Sequence, residues 1–315
     1  MAIEKHYIRD EVKNFLDGLA ALNGPALTDM TLEEARLSYR ALHEMADADA
    51  QGLAVILDFE CEGPRGQIPL RLYDARPHRD SGPVIMFFHG GGFVIGDLDT
   101  HHNLCTEIAH QLDLAVVAVD YRRAPEYPFP AAIEDCEAAT RFIGSSPDVL
   151  NQKVSGLITI GDSAGGNASI VIGQLFASNP ADVPIVLQVP IFPLVSDPQG
   201  SKSLEEFSDG FLLTASAIDY FNDAYKPNTK DSRALPILGD LDHTPPTVLV
   251  TASLDPIRDS GRDYGSALSK AGIDHIHLEV DGGTHSFVNL RKAVPSYQKD
   301  LEQVLAAVKF FLGHS

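Results

Sequence analysis

Two hydrophobic periodicities divide the chain. Over residues 11–22, EVKNFLDGLAAL sets Val12, Phe15, Leu16 and Leu19 on one face, the spacing of an amphipathic helix. The stretch NGPALTD breaks that pattern. Thr31 followed by Glu34 matches a capping box and predicts a second helix running to about Ala50. From about Gly52 short runs take over: AVILDFEC and QIPLRLYD flank Gly63-Pro64-Arg65-Gly66 and read as a hairpin. PVIMFFHG is an unbroken apolar run, as expected of a strand covered on both faces.

Helix and strand then alternate. A helix is predicted from about His101 to Leu112, followed by the strand AVVAVD, the loop RRAPEYPFP and a helix from about Ala131 to Ile143. GLITIGD, IVLQVPIF, TVLVTA and HIHLEVD read as further strands. One helix starts near Ala164, another lies between the last two strands, and a last one runs from about Pro295 to Leu312. This is an α/β pattern: about eight strands, mostly parallel, with helices on both faces. Residues 198–233 offer helix but no strand. Residues 1–50 and 198–233 are expected to form a helical cap over the strand C-termini. The catalytic domain is expected to comprise residues 51–197 and 234–315.

Composition narrows the classes. The 315 residues are 44% hydrophobic and 22% charged, ordinary values for a globular chain. No apolar run approaches the roughly 20 residues of a membrane span. The N-terminus mixes both charge signs without an apolar leader, so a cytoplasmic protein is expected. A net charge of −20 argues against nucleic acid and against anionic membrane surfaces. Cys61, Cys105 and Cys136 are scattered and read as reduced thiols, Cys136 on a buried helix face.

The candidate chemistry begins at Gly161-Asp162-Ser163-Ala164-Gly165, which fits G-x-S-x-G. A strand precedes it and a helix-compatible stretch follows, the setting that forces a serine into a tight elbow above a sheet. A phosphate-cradling loop is the rival reading, but the lysine of a P-loop is missing. His89-Gly90-Gly91-Gly92-Phe93 directly follows another strand. Consecutive glycines let backbone N–H groups approach a developing oxyanion. Gly91, Gly92 and Ala164 are the candidate donors, with Gly90 the weaker one. His89 is expected to hold the loop by a hydrogen bond.

A serine needs a base, and in this fold the chain order is Ser, then Asp or Glu, then His. Asp255 stands just past the strand TVLVTA and is preferred over Asp259 as the orienting carboxylate. His285 stands just past HIHLEVD and is the candidate base, neutral so that it can accept the serine proton. The pairs His101-His102 and His275 with His277 lack a completing carboxylate or thiol, so no metal site is expected.

Taken together, HGGGFVIGDLDTHHNLC from His89, DYRRAPEYPFPAAIEDC from Asp120, GDSAGGN from Gly161, SLDPIRDSG from Ser253 and THSFVNL from Thr284 resemble the hormone-sensitive-lipase-like branch of the α/β-hydrolases. The resemblance covers roughly Val84 to Leu290. It implies the α/β-hydrolase fold with a helical cap, and a serine carboxylesterase acting without a cofactor on small esters of short to medium acyl chain. Ser163, Asp255 and His285 carry over as the triad, and the glycine loop with Ala164 as the oxyanion site. The DYRRAPE block carries over as a structural loop. Pairing through the last strand in related esterases leaves a homodimer as an expectation. The family commonly has glycine after the histidine, where this chain has Ser286. A ligand-binding protein on the same scaffold, as in plant hormone receptors that lost the histidine, is the rival from another class. An acyltransferase or amidase using the same triad is the nearer rival.

Overall fold

The computed structural model describes residues 6–313; residues 1–5 of the expected cap lie outside the described residues. The chain opens with α1 (Asp10–Leu22) and α2 (Leu32–Ala46). The capping box closes as its spacing predicts. The Glu34 N–H donates to Thr31 Oγ1 at 3.3 Å, and the Thr31 N–H donates to the Glu34 carboxylate at 2.8 Å. However, α2 stops at Ala46, short of the predicted end. The cause is tertiary. Asp47 turns extended and is gripped by the buried Arg291 guanidinium at 2.7 and 2.9 Å, while Ala46 O accepts the N–H groups of Lys292 and Ala293.

The hairpin β1 (Val55–Gly63) and β2 (Gly66–Asp74) follows, paired in register from Val55 opposite Asp74 to Gly63 opposite Gly66. Then come β3 (Ser81–Phe88), α3 (His102–Leu112), β4 (Ala115–Val119), α4 (Ala131–Gly144), β5 (Lys153–Asp162), α5 (Ala164–Ser178) and β6 (Ile185–Ile191). The strand-free interval holds α6 (Lys202–Phe207) and α7 (Ala215–Tyr225). The chain closes with β7 (Thr247–Leu254), α8 (Arg258–Ala271), β8 (His275–Thr284) and α9 (Ser296–Leu312).

The eight strands form one sheet in the order β1-β2-β4-β3-β5-β6-β7-β8. Only β2 runs against its neighbours β1 and β4; the remaining pairs are parallel. Strand side chains alternate between two cores, as a period of two requires. Ile85, Phe87, Val116, Ala118, Ile158 and Ile160 face α3 and α9. Val84, Met86, Phe88, Val117 and Leu157 face α4 and α5. Both faces are therefore apolar, which explains why these strands read as continuous runs. All three cysteines are buried and unpaired. Among the described residues no helix is long and apolar enough to cross a membrane.

The two helical regions outside this frame meet each other. α7 packs on the short turn Leu27–Asp29 between α1 and α2. Phe207 and Phe211 pack against Ile8 and Leu16.

Candidate active site

β5 ends on Asp162 and α5 begins on Ala164, so Ser163 alone makes the turn. Its φ of 54° and ψ of −114° lie where side chains are rarely found. Two contacts hold the turn. The Ser163 N–H donates to Ile191 O at 2.9 Å, and Gly165 lies so close to Phe88 O that a Cβ would overlap it. Sharp reversal above the sheet exposes the hydroxyl at the start of α5, where the helix dipole favours negative charge.

Asp255 follows β7, and His285 follows β8, both at the same sheet edge as Ser163. His285 Nδ1 donates to Asp255 Oδ2 at 2.7 Å, and His285 Nε2 lies 2.9 Å from Ser163 Oγ. With Nδ1 carrying the proton, Nε2 presents a lone pair to the hydroxyl. Asp255 is fully buried, and its other oxygen accepts the Ile257 N–H at 2.9 Å. That second bond fixes the carboxylate. The Phe192 ring stands 4.6 Å from the imidazole, centroid to centroid, and limits its movement.

The glycine loop after β3 divides its donors. The Gly90 N–H donates to Asp162 Oδ1 at 2.9 Å, and Gly90 O accepts from His89 Nδ1 at 2.7 Å. Gly90 is thus corrected from weaker oxyanion donor to loop anchor, because its N–H is already engaged. The Gly91 and Gly92 N–H groups have no acceptor among the described residues. The Ala164 N–H is one of the donors that a helix start leaves without an intrahelical acceptor. Burial drives the His89 imidazole down to about 3, so it is neutral and serves the loop alone.

Ser163 and His285 open into a cavity of about 760 Å³. Its walls are mainly apolar and come from both helical regions, including Leu27, Met30, Leu42, Leu212, Ile218 and Phe221. Ser286 also lines it and takes the left-handed conformation, φ 65° and ψ 14°, the geometry that suits the glycine usual at this place.

The other candidates have structural partners. Asp259 accepts the Ser203 N–H at 2.9 Å and pairs with Arg258, so it tethers α6 to α8. Glu126 pairs with Arg36, and Asp135 takes the Arg122 guanidinium, locking the proline-rich loop. His102 meets Tyr73, whereas His101 turns to Asp162; His275 and His277 likewise point to different partners. Among the described residues no three His, Cys, Asp or Glu side chains are grouped to hold a metal ion. Sequence reasoning considers His101 only as half of a metal pair and gives Asp162 and Phe221 no role of their own. The adjacent His101-His102 was a signal for the first pair, but nothing local names its partner.

This fold and this serine elbow define an α/β-hydrolase. The comparisons agree. A family described as alpha/beta hydrolase fold matches residues 85–289. Esterase LipI of Mycobacterium tuberculosis is 36% identical over 264 residues, covering 82% of each chain. Ethyl acetate hydrolase of Pseudomonas putida is 32% identical over 251 residues, 77% of this chain and 78% of that one. Among solved structures, an ester hydrolase from the metagenome of Lake Arreo, bound to a bipyridine phosphonate derivative, superposes with a TM-score of 0.92 at 31% identity. That superposition covers 98% of this chain and 100% of the other. The chain belongs to the α/β-hydrolase family, in its hormone-sensitive-lipase-like branch.

Proposed function

We propose that the chain is a serine carboxylesterase that hydrolyses short- to medium-chain esters through an acyl-enzyme on Ser163. Carboxylic ester hydrolysis itself follows from the family and from relatives named esterases. The observation that carries the finer reading is the chain of contacts Ser163–His285–Asp255, at 2.9 and 2.7 Å, opening into an apolar cavity.

In this reading His285 Nε2 takes the hydroxyl proton as Ser163 Oγ attacks the ester carbonyl. The tetrahedral oxyanion receives the N–H groups of Gly91, Gly92 and Ala164. Asp255 keeps the imidazole in the Nδ1–H tautomer and stabilises the imidazolium. His285 then gives its proton to the leaving alcohol. Water, deprotonated by the same nitrogen, attacks the acyl-enzyme and releases the acid. Of the described residues, 6–50 and 198–233 act as a cap that supplies walls of the substrate cavity, and the remainder form the catalytic domain. The relative named for ethyl acetate supports the short end of the substrate range.

A hydrolysis screen over p-nitrophenyl esters from acetate to palmitate tests this. Activity is expected to fall sharply beyond about eight acyl carbons, since each methylene that finds no room forfeits roughly 1–3 kcal/mol. Undiminished turnover of palmitate would overturn the chain-length assignment.

A further inference from the structure

We propose that Asp162 and His101 form a buried ion pair that positions the oxyanion loop. The proposal rests on the reading of Ser163 as nucleophile and of Gly91 and Gly92 as oxyanion donors.

Asp162 is fully buried and precedes Ser163 in the chain. Its carboxylate has two kinds of partner: the Gly90 N–H, at 2.9 Å from Oδ1, and His101 Nε2, at 3.1 Å from Oδ1 and 3.3 Å from Oδ2. His101 is 1% exposed, so this pairing is shielded from water. Its other nitrogen, Nδ1, lies 2.8 Å from Thr100 Oγ1. That hydroxyl also lies 2.8 Å from Asp97 O and accepts the Asp97 N–H at 2.9 Å. A carbonyl oxygen can only accept, so the single hydroxyl proton goes to Asp97 O. His101 Nδ1 must therefore donate to Thr100. Nε2 faces a carboxylate, so it donates as well. Assigned from its acceptors in this way, His101 is an imidazolium and Asp162 its counter-ion. Burial favours a protonated Asp162 carboxyl, but the charge of His101 prevails and holds it below the usual carboxylate range.

The pair acts on the loop through one peptide group. The Gly90 N–H is held by Asp162 and its carbonyl by His89, whose own carbonyl accepts the Tyr121 hydroxyl at 2.6 Å. Gly90 also sits so close to the carboxylate that a Cβ would overlap it. With both polar groups of Gly90 engaged, the next two N–H groups, which have no acceptor among the described residues, are aimed by the anchor. Pre-aimed donors are what distinguish a transition-state site from a flexible loop. Because Asp162 is bonded directly to Ser163 in sequence, it couples the position of the loop to that of the nucleophile. Asp162 touches no reacting atom; it is a positioning residue.

Asp162→Ala, Asp162→Asn and His101→Gln test this, each measured for kcat, KM and affinity for a trifluoromethyl ketone that forms a hemiketal oxyanion on the serine. Expected for Asp162→Ala is a kcat loss of about 10- to 100-fold with KM nearly unchanged. Ketone affinity should fall by the same factor as kcat/KM. Asp162→Asn retains an acceptor for Gly90 and should recover part of the loss. His101→Gln carries the same expectation at smaller size and serves if Asp162→Ala does not yield folded protein. Parent-like kcat in folded Asp162→Ala or His101→Gln, or a loss of kcat without loss of ketone affinity, overturns the proposal. Titration with a fluorophosphonate keeps the two readings apart. An unlabelled parent enzyme sinks the nucleophile assignment itself, whereas a labelled, fully active Asp162→Ala variant sinks only the positioning role.

Discussion

The ring of Phe221, on α7, packs directly over the α-carbon of Gly92, so closely that a Cβ there would overlap it. The helical segment that walls the cavity thus also rests on the loop that carries the free N–H groups. Gly92 additionally has φ 62°. Gly92→Ala is therefore expected to displace the loop and lower kcat by about 10²-fold, the scale of losing one oxyanion donor. Adding Phe221→Ala removes the overlap and should restore part of the loss. A double-mutant cycle in kcat checks this, and strict additivity would count against the contact.

Ser163→Ala removes the oxygen proposed to attack while leaving a small side chain at the elbow. A kcat loss of about 10⁴-fold or more is expected, with the fold retained. Steady-state kinetics with p-nitrophenyl butyrate, beside circular dichroism, measures both. Substantial residual hydrolysis would end the assignment of this serine.

Ser286 adopts φ 65° with a side chain that disfavours it. Ser286→Gly should relieve that conformation. The gain is offset by the greater freedom of glycine in the unfolded chain, leaving a net stabilisation of about 0.5–1 kcal/mol. Urea unfolding midpoints of the two proteins test it; a lower midpoint would show that the left-handed turn carries no cost here.

Acid should destabilise the fold through the buried histidines. Burial drives His43 down to about 4 and His89 to about 3. Both remain neutral in the folded state but charge in the unfolded chain below about pH 6.5. The unfolded state then binds more protons, so stability is complete above that pH and is lost as pH falls toward 4 and 3. Each histidine should contribute a slope of up to ~1.4 kcal/mol per pH unit in that window. The depressed Asp162 carboxyl adds a loss at still lower pH, below its unfolded value of about 3.9. Unfolding free energies at pH 7, 6, 5 and 4 measure the slope, and His43→Phe should make it shallower. Equal slopes in parent and variant would refute the contribution of His43.

Much of the frame was legible because its signals are local. Thr31 and Glu34 lie three residues apart and cap α2 as their spacing requires. Gly63 and Gly66 turn the hairpin. The spacing predicts α2 to about Ala50, but the helix ends at Ala46 because Arg291, 244 residues further along, takes Asp47. Helix propensity at residues 47–50 carries no trace of that guanidinium.

At the site the same division holds. The order of the elbow, Asp255 and His285 along the chain, and the glycine loop after a strand, belong to the sequence itself: such motifs depend on backbone conformations that a few neighbouring residues dictate. Only the tertiary structure brought His285 within 2.9 Å of a serine 122 positions away. It also engaged Gly90 with Asp162, left the Gly91 and Gly92 N–H groups without an acceptor among the described residues, and laid Phe221 over the loop. Those relationships arise where separate strand ends and helices meet. Their distances are set by packing across the sheet, which no short stretch of residues encodes.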